Sequence, residues 1–295
     1  MLSCAEECSR TGGISRQAPE SSACGEMRRR LDVEMVRRGI APSRTEAAMA
    51  IRSGKVTVGG RPAAKAGTLV LPDEPIGLSG PPRRFVSRGG EKLQAALDRF
   101  GIDVQDARAL DAGSSTGGFT DCMIKGGAAH VVGVDVGYGQ LDWKLRKDPK
   151  VTLLERTNVR DLQPEALPYR PDLVTADLSF ISLRLALPAL VRCSSPSARF
   201  LLLIKPQFEA GREQVGEGGV VTDPDVWRAV LNDVASACER CGLSPVGLMA
   251  SPLLGHAGNA EFVLHAIRDE ASAHGFSDLI DGALHDAARL AAAGG

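Results

Sequence analysis

The sequence predicts an α/β protein: a doubly wound, Rossmann-like sheet of seven strands, preceded by a small α+β domain. Three observations predict it. Strand-like and helix-like segments alternate from residue 108 to the C-terminal region, the pattern of a mostly parallel sheet with helices on both faces. A glycine-rich turn follows the first of these strands and opens a helix. Two short helical patterns and a hairpin signal fill residues 27–80, and prolines and glycines between 72 and 82 then interrupt any regular element.

In chain order, residues 1–26 are polar and aperiodic and read as a disordered extension, which makes Met27 a candidate translation start. Leu31, Met35 and Val36 have helical spacing that ends at Gly39. Ser43 is placed to cap a second helix running through Ala47, Met49 and Ile51 to Gly54. Residues 55–60 alternate and turn, as a hairpin would. A linker is expected over 81–90 and a helix from Glu91 to about Phe100. Strands are expected at 108–112, 130–135, 151–154, 172–177, 199–204, 246–250 and 261–267, and helices at 117–126, 179–193 and 224–241. The large domain spans 91–270, and 271–295 forms an Ala/Leu-rich terminal helix and tail.

Composition narrows the class. Of 295 residues, 43% are hydrophobic and 24% charged, as in an ordinary soluble protein, and no apolar run is long enough to span a bilayer. The start lacks the pattern of a secretory signal, so a cytoplasmic location is expected. Seven cysteines without framework spacing read as reduced thiols, and the CxxC at Cys238 and Cys241 lacks the further ligands of a zinc site, so no metal is expected. The net charge of −1 hides an asymmetry. Residues 27–92 hold 14 Lys and Arg against 6 Asp and Glu, a net +8, whereas residues 93–295 carry a net −7. A basic module on an acidic body fits a polyanion partner.

The glycine turn suggests a nucleotide-like ligand. Asp111, Gly113, Ser115, Thr116, Gly117, Gly118 and Phe119 run from strand end into helix, and glycine lets backbone approach a ligand closely there. Asp135 ends the next strand 22 residues after Gly113, near the spacing of a ribose-binding carboxylate. A dinucleotide fingerprint needs glycine where Ser115 stands. The layout suits either a nicotinamide dinucleotide, which Ser115 disfavours, or S-adenosylmethionine, since D-x-G-x-x-x-G, met by Asp111, Gly113 and Gly117, is a pattern seen in methyltransferases. Asn158 or Asp161, after the third strand, could bond an adenine, and Asp177 ends the fourth strand at the edge where open α/β sheets bind ligands.

Lys92, Asp177, Lys205 and Glu261 then stand out, three of them at strand boundaries of one sheet. A ribose hydroxyl must lose its proton as it attacks a methyl carbon, and such a Lys-Asp-Lys-Glu set can supply a base or hold the hydroxyl. Lys205 is the candidate for that base or for steering the hydroxyl, with Asp177 and Glu261 orienting and Lys92 holding substrate. Other methyl transfers fit less well. Asp177-Leu178-Ser179-Phe180 lacks the two prolines common in base N-methylation, and Cys193, the cysteine nearest that strand end, lies about four helical turns beyond it.

Two resemblances give these readings a family. RLDVEMVRRGIAPSRTEAAMAIRSGKVTVGG resembles an S4 RNA-binding domain, which implies phosphate contacts from Arg30, Arg37, Arg38, Arg44, Arg52 and Lys55. LDAGSSTGGFTD, VDVGYGQLDWKLR, ERTNVRDL, ADLSFISL, KPQFEAG, GGVVTDP and SPLLGHAGNAEF follow one another as in TlyA-type proteins of the hemolysin A family. That family joins an S4 domain to an FtsJ-like, class I methyltransferase domain. The resemblance implies S-adenosylmethionine as methyl donor and, as substrate, the ribose 2′-hydroxyl of cytidine in 16S and 23S rRNA within ribosomal subunits or ribosomes. It also assigns catalysis to Lys92, Asp177, Lys205 and Glu261. Phe85 departs from the tryptophan expected in such relatives. An RNA-binding protein with an inactive methyltransferase fold is the rival, and the intact four-residue set weighs against it. A membrane-lytic protein finds no spanning segment or strongly amphipathic basic helix to support it.

Overall fold

Alternation along single strands builds the large sheet. In the strand Arg199–Ile204, Phe200, Leu202 and Ile204 face one core while Leu201 and Leu203 face another, the period of two that puts successive side chains on opposite faces. The computed structural model describes residues 28–41, 43–79, 84–268 and 276–293, so the extension expected at 1–26 lies outside the described residues. The chain divides into two units between Gly80 and Pro81.

In the first unit, β1 (Arg29–Arg30), α1 (Leu31–Arg37), α2 (Arg44–Arg52), β2 (Val56–Val58), β3 (Arg61–Pro62), β4 (Leu69–Val70) and β5 (Ile76–Leu78) follow in order. Ser43 caps α2 by accepting from the Glu46 N–H at 3.2 Å, as its sequence position predicts. Strand β2 lies between β3 and β5, both antiparallel to it. Leu31, Met35, Ala47, Ile51, Val56 and Val70 close a small core.

The second unit runs α3 (Gly89–Phe100), β6 (Arg108–Ala112), α4 (Gly118–Lys125), β7 (His130–Val134), α5 (Trp143–Arg146), β8 (Val151–Leu154), β9 (Leu173–Ala176), α6 (Leu183–Cys193), β10 (Arg199–Ile204), α7 (Pro206–Glu209), α8 (Pro224–Arg240), β11 (Ser244–Ala250), β12 (Phe262–Ile267) and α9 (Phe276–Ala293). The sheet order is β11-β12-β10-β9-β6-β7-β8. Six strands run in one direction, and β12 runs against them, antiparallel to both its neighbours. Helices α3 and α4 cover one face; α6, α8 and α9 cover the other. From β6 the chain winds outward through β7 and β8, then returns to β9 on its other side. The point of reversal opens a crevice at the carboxyl ends of β6 and β9, where such sheets bind ligands.

Of the linker expected over 81–90, the structure describes residues 84–90. Helix α3 begins at Gly89, and residues 84–88 belong to the second unit. Phe85 is buried, and a Cβ on Gly90 would lie 2.3 Å from its ring. Val86 N–H donates to Asp121 at 2.9 Å, and Lys125 Nζ donates to the Arg84 carbonyl at 2.5 Å. Phenylalanine thus fills the place where tryptophan was expected.

Among the buried carboxylates, Glu34 in the first unit and Asp111 in the second have pKa values shifted in opposite directions. Glu34 is fully buried in α1 and receives Arg37 and Arg38, whose hydrogen bonds hold its pKa at about 2. Asp111, in β6, is also fully buried; desolvation raises its pKa to about 7 against the opposing bonds from Thr120 at 2.6 Å and Thr175 at 3.2 Å. The two predict opposite pH responses. Glu34 binds fewer protons folded than unfolded, so the first unit loses stability as pH falls from about 4.5 to 2. Glu34→Gln should destabilise it by about 1–3 kcal/mol at pH 7. That is less than breaking a fully buried pair, because the partner arginines are 20–49% exposed and water takes over part of their solvation. Asp111 binds more protons folded, so its contribution is complete below about pH 4 and lost as pH rises to 7. Chemical denaturation at pH 5 and 8 should show the wild type losing roughly 1–3 kcal/mol relative to Asp111→Asn. A parallel response of both proteins would exclude Asp111 as the cause.

Candidate active site

The crevice at the reversal point is a cavity of about 960 Å³, within the range of small-molecule sites. Gly113, Ser115, Asp135, Asn158 and Asp177 line it, as their strand-end positions predict. Gly113 has φ +84°, and a Cβ there would sit 2.4 Å from the Asp177 carbonyl oxygen, so only glycine lets the two strand ends meet. Asp135 accepts from Ser115 N–H at 2.8 Å and Gly137 N–H at 2.6 Å, which fixes its carboxylate at the cavity wall. Asn158 accepts from Arg160 N–H at 3.1 Å.

Five expected cofactor contacts stand apart from the cavity. Asp111 lies beneath the turn, held by Thr120 and Thr175. Gly117 and Gly118 pack away from the opening: a Cβ on Gly117 would meet Leu145 at 2.4 Å, and one on Gly118 would meet Ser87 at 2.2 Å. The Thr116 carbonyl accepts from Asp142 N–H, and Phe119 is buried in the core with Phe85 and Leu93. After Ser115 the chain turns into α4, and the helix carries these side chains under the sheet edge. Asp161 is likewise absent from the cavity wall. Gln140, which sequence reasoning missed, does line it and receives Ser115 Oγ at 3.4 Å.

Lys92, Asp177, Lys205 and Glu261 form two ion pairs. Lys92, in the first turn of α3, pairs with Glu261, and both are buried. Lys205 Nζ stands 2.5 Å from Asp177 Oδ1 and donates to Ser179 Oγ at 3.0 Å. The Asp177 contact is a close approach of charges without hydrogen-bond alignment, so Oδ1 is buried with no aligned donor. The sheet register joins the pairs. Ile204 faces Phe262 across β10 and β12, so Lys205 and Glu261 stand opposite each other just beyond the last paired residues. Gly255 makes room for Glu261: a Cβ there would come within 2.1 Å of Oε1.

Two further residues shape this edge. Glu209 is buried and accepts from Leu183 N–H at 2.7 Å and Ser182 Oγ at 2.5 Å, tying α7, which follows Lys205, to the loop that follows Asp177. Burial raises its pKa. Phe180, in that loop, has φ +64° and is 92% exposed at the cavity wall, its ring 5.1 Å from that of Phe208. Both residues lie inside the motifs ADLSF and KPQFEAG, yet neither follows a spacing rule that would single it out.

In the first unit, Arg30 and Arg44 pair with buried Asp32, and Arg37 pairs with Glu34. Arg38 is turned inward: it donates to Glu34 and to the carbonyls of Leu71, Pro72 and Glu74. Arg52 and Lys55 are exposed. Among the described residues no three His, Cys, Asp or Glu side chains are grouped to hold a metal, and no helix is long and apolar enough to cross a membrane.

Known proteins share both units. Residues 85–268 match the family described as FtsJ-like methyltransferase, and residues 29–76 match the S4 domain. The chain is 50% identical over 263 residues to the 16S/23S rRNA (cytidine-2′-O)-methyltransferase TlyA of Mycobacterium tuberculosis, covering 88% of this chain and 98% of that one. It is 40% identical over 185 residues to Hemolysin A of Brachyspira hyodysenteriae, covering 62% of this chain and 77% of the relative. A solved hemolysin-type structure from Streptococcus thermophilus superposes with a TM-score of 0.75 at 36% identity, covering 92% of this chain and 99% of the other. The S4 unit, the FtsJ-like sheet and this identity along nearly the whole length place the chain in the TlyA family of FtsJ-like methyltransferases.

Proposed function

We propose that the protein transfers a methyl group from S-adenosylmethionine to the ribose 2′-hydroxyl of cytidine in 16S and 23S rRNA, acting on ribosomal subunits or ribosomes in the cytoplasm. The observation that carries the reading is the two lysine–carboxylate pairs at neighbouring strand ends, of which Asp177 lines the cavity at the sheet's reversal point. The cavity suits the cofactor. Its size fits a nucleoside-bearing ligand, Gly113 leaves backbone open to close approach, and the Asp135 carboxylate can accept from ribose hydroxyls. The bound cofactor supplies an electrophilic methyl group on a sulfonium.

The chain's own task is to present the hydroxyl and take its proton. Lys205, held by Asp177 and Ser179, is placed to donate to the 2′-oxygen and aim a lone pair at the methyl carbon. Asp177 lines the cavity with 24% of its side chain exposed, and its carboxylate can accept the hydroxyl's hydrogen bond. As the hydroxyl oxygen takes up the methyl group, its proton would pass to the Asp177 carboxylate and on to solvent. Glu261, opposite Lys205 and paired with Lys92, fixes the far side of the row. Phe180 offers an exposed ring at the cavity wall on which an unstacked base can lie. In the S4 unit, Arg30, Arg37, Arg44, Arg52 and Lys55 serve phosphates, whereas Arg38 serves the fold.

The test is transfer of labelled methyl to ribosomal subunits from cells lacking the protein. Wild type should label ribose, and Lys205→Ala should lower kcat about 10²–10⁴-fold with little change in cofactor KM. Label on a base would overturn the reaction; near-normal turnover by Lys205→Ala would overturn the role of Lys205.

A further inference from the structure

We infer that the surface formed by the loop after β7, helix α5 and the end of β8 is a second RNA-contact face, gripping nucleotides that flank the methylated one. It rests on the RNA-methylating reading above and extends it to residues outside both the cavity and the S4 unit.

The aromatic residues point to it first. The chain has two tyrosines and two tryptophans. Trp227 is buried and Tyr169 half-buried, but Trp143 is 63% exposed and Tyr138 67% exposed. Each exposed ring carries cations: Arg156 lies 4.4 Å from the Tyr138 centroid, and Lys147 and Lys144 lie 5.2 and 6.0 Å from that of Trp143. Exposed rings interleaved with cations can stack bases and meet the adjoining phosphates.

The local charge points the same way. Residues 136–160 hold six Lys and Arg against three Asp and Glu, on a body that is acidic as a whole. All three acids are engaged within the segment. Asp142 and Asp148 accept from backbone N–H groups two residues on, and Glu155 accepts from Gly139 N–H at 2.6 Å and Arg146 at 2.5 Å. Glu155 thereby ties the loop, α5 and the end of β8 into one piece, while Lys144, Lys147 and Arg156 point to solvent. A prearranged face loses less entropy on binding than a floppy one.

The location completes the case. Val136 and Gln140 of the same loop line the cavity, whereas Tyr138 and Trp143 do not. The face therefore lies along the rim, on the β7–β8 side, with Phe180 on the β9 side. An RNA strand delivering a ribose to Lys205 has its neighbouring nucleotides within reach of both.

The test uses the full chain. Trp143→Ala and Tyr138→Ala should each raise KM for ribosomal RNA about tenfold, leave kcat within about twofold, and leave the cofactor KM and thermal melting unchanged. Lys144→Ala/Lys147→Ala should flatten the log–log salt dependence of RNA binding by about one to two. A photoreactive amino acid at position 143 should crosslink to RNA. Unchanged RNA KM in the aromatic variants would overturn the proposal, and a raised cofactor KM would assign the face to the cavity instead. A crosslink to a ribosomal protein would make it a protein-docking face. The crosslink is read without turnover, so a wild type that labels no ribose would overturn the function and still leave this face decided.

Discussion

The constraint on which the site depends is the contact between Gly113 and the backbone of Asp177. Strands β6 and β9 are neighbours whose following segments part in opposite directions, and the Asp177 N–H bonds the Ala112 carbonyl at 2.9 Å. With the two ends clasped so closely, a side chain at 113 would have to push the end of β9 away. Asp177 would move with it, and so would its 2.5 Å approach to Lys205. Displacement of reacting groups by an ångström is enough to cost a hundredfold in rate. The glycine thus bears on the cavity and on the lysine–carboxylate row at once.

That row is poorly explained by stability. Withdrawing Lys92 and Glu261 from water costs several kcal/mol per ion, and hydrophobic residues of similar volume often serve a fold as well or better. Gly255 is kept open around Glu261 as well. A buried pair, a second pair one strand away and a glycine that leaves room for one carboxylate make sense together if the charges have work to do at the sheet edge. Glu209 contributes from below, because the loop after Asp177 and the turn after Lys205 are both fastened to it.

Much of this was legible in the sequence. Strands 108–112, 151–154 and 199–204 were placed to the residue, because short apolar runs bounded by turn residues mark strands strongly. The four ionisable residues were legible through strand-end position and family resemblance, although their pairing was not: Lys92 and Glu261 are 169 residues apart, and no local rule joins them. Spacing put Phe119 and Asp111 in the turn, whereas the fold holds both away from the cavity wall. A motif gives order along the chain, whereas the rotation of α4 and the pleat of β6 decide which side chains reach the cavity. Phe180 escaped notice because exposure is a property of the folded loop.

Counting charge in the basic module likewise missed two buried acids that organise it. Asp32 and Glu34 gather Arg30, Arg44, Arg37 and Arg38 around α1. Pairing does not silence these groups equally. A guanidinium has five N–H donors in a fixed plane. Arg38 uses nitrogens on every side, for Glu34 and for three carbonyls, and so has little left for a phosphate. Arg30 bonds Asp32 through Nε and one terminal nitrogen and Arg37 bonds Glu34 the same way; both remain about half exposed. Their outward donors are held in a set direction by these bonds. Holding a long side chain in place beforehand removes part of the entropy lost on binding, about 0.5–1.5 kcal/mol for each immobilised side chain. By that reasoning the buried carboxylates aim the module's arginines, at the expense of some of its net positive charge.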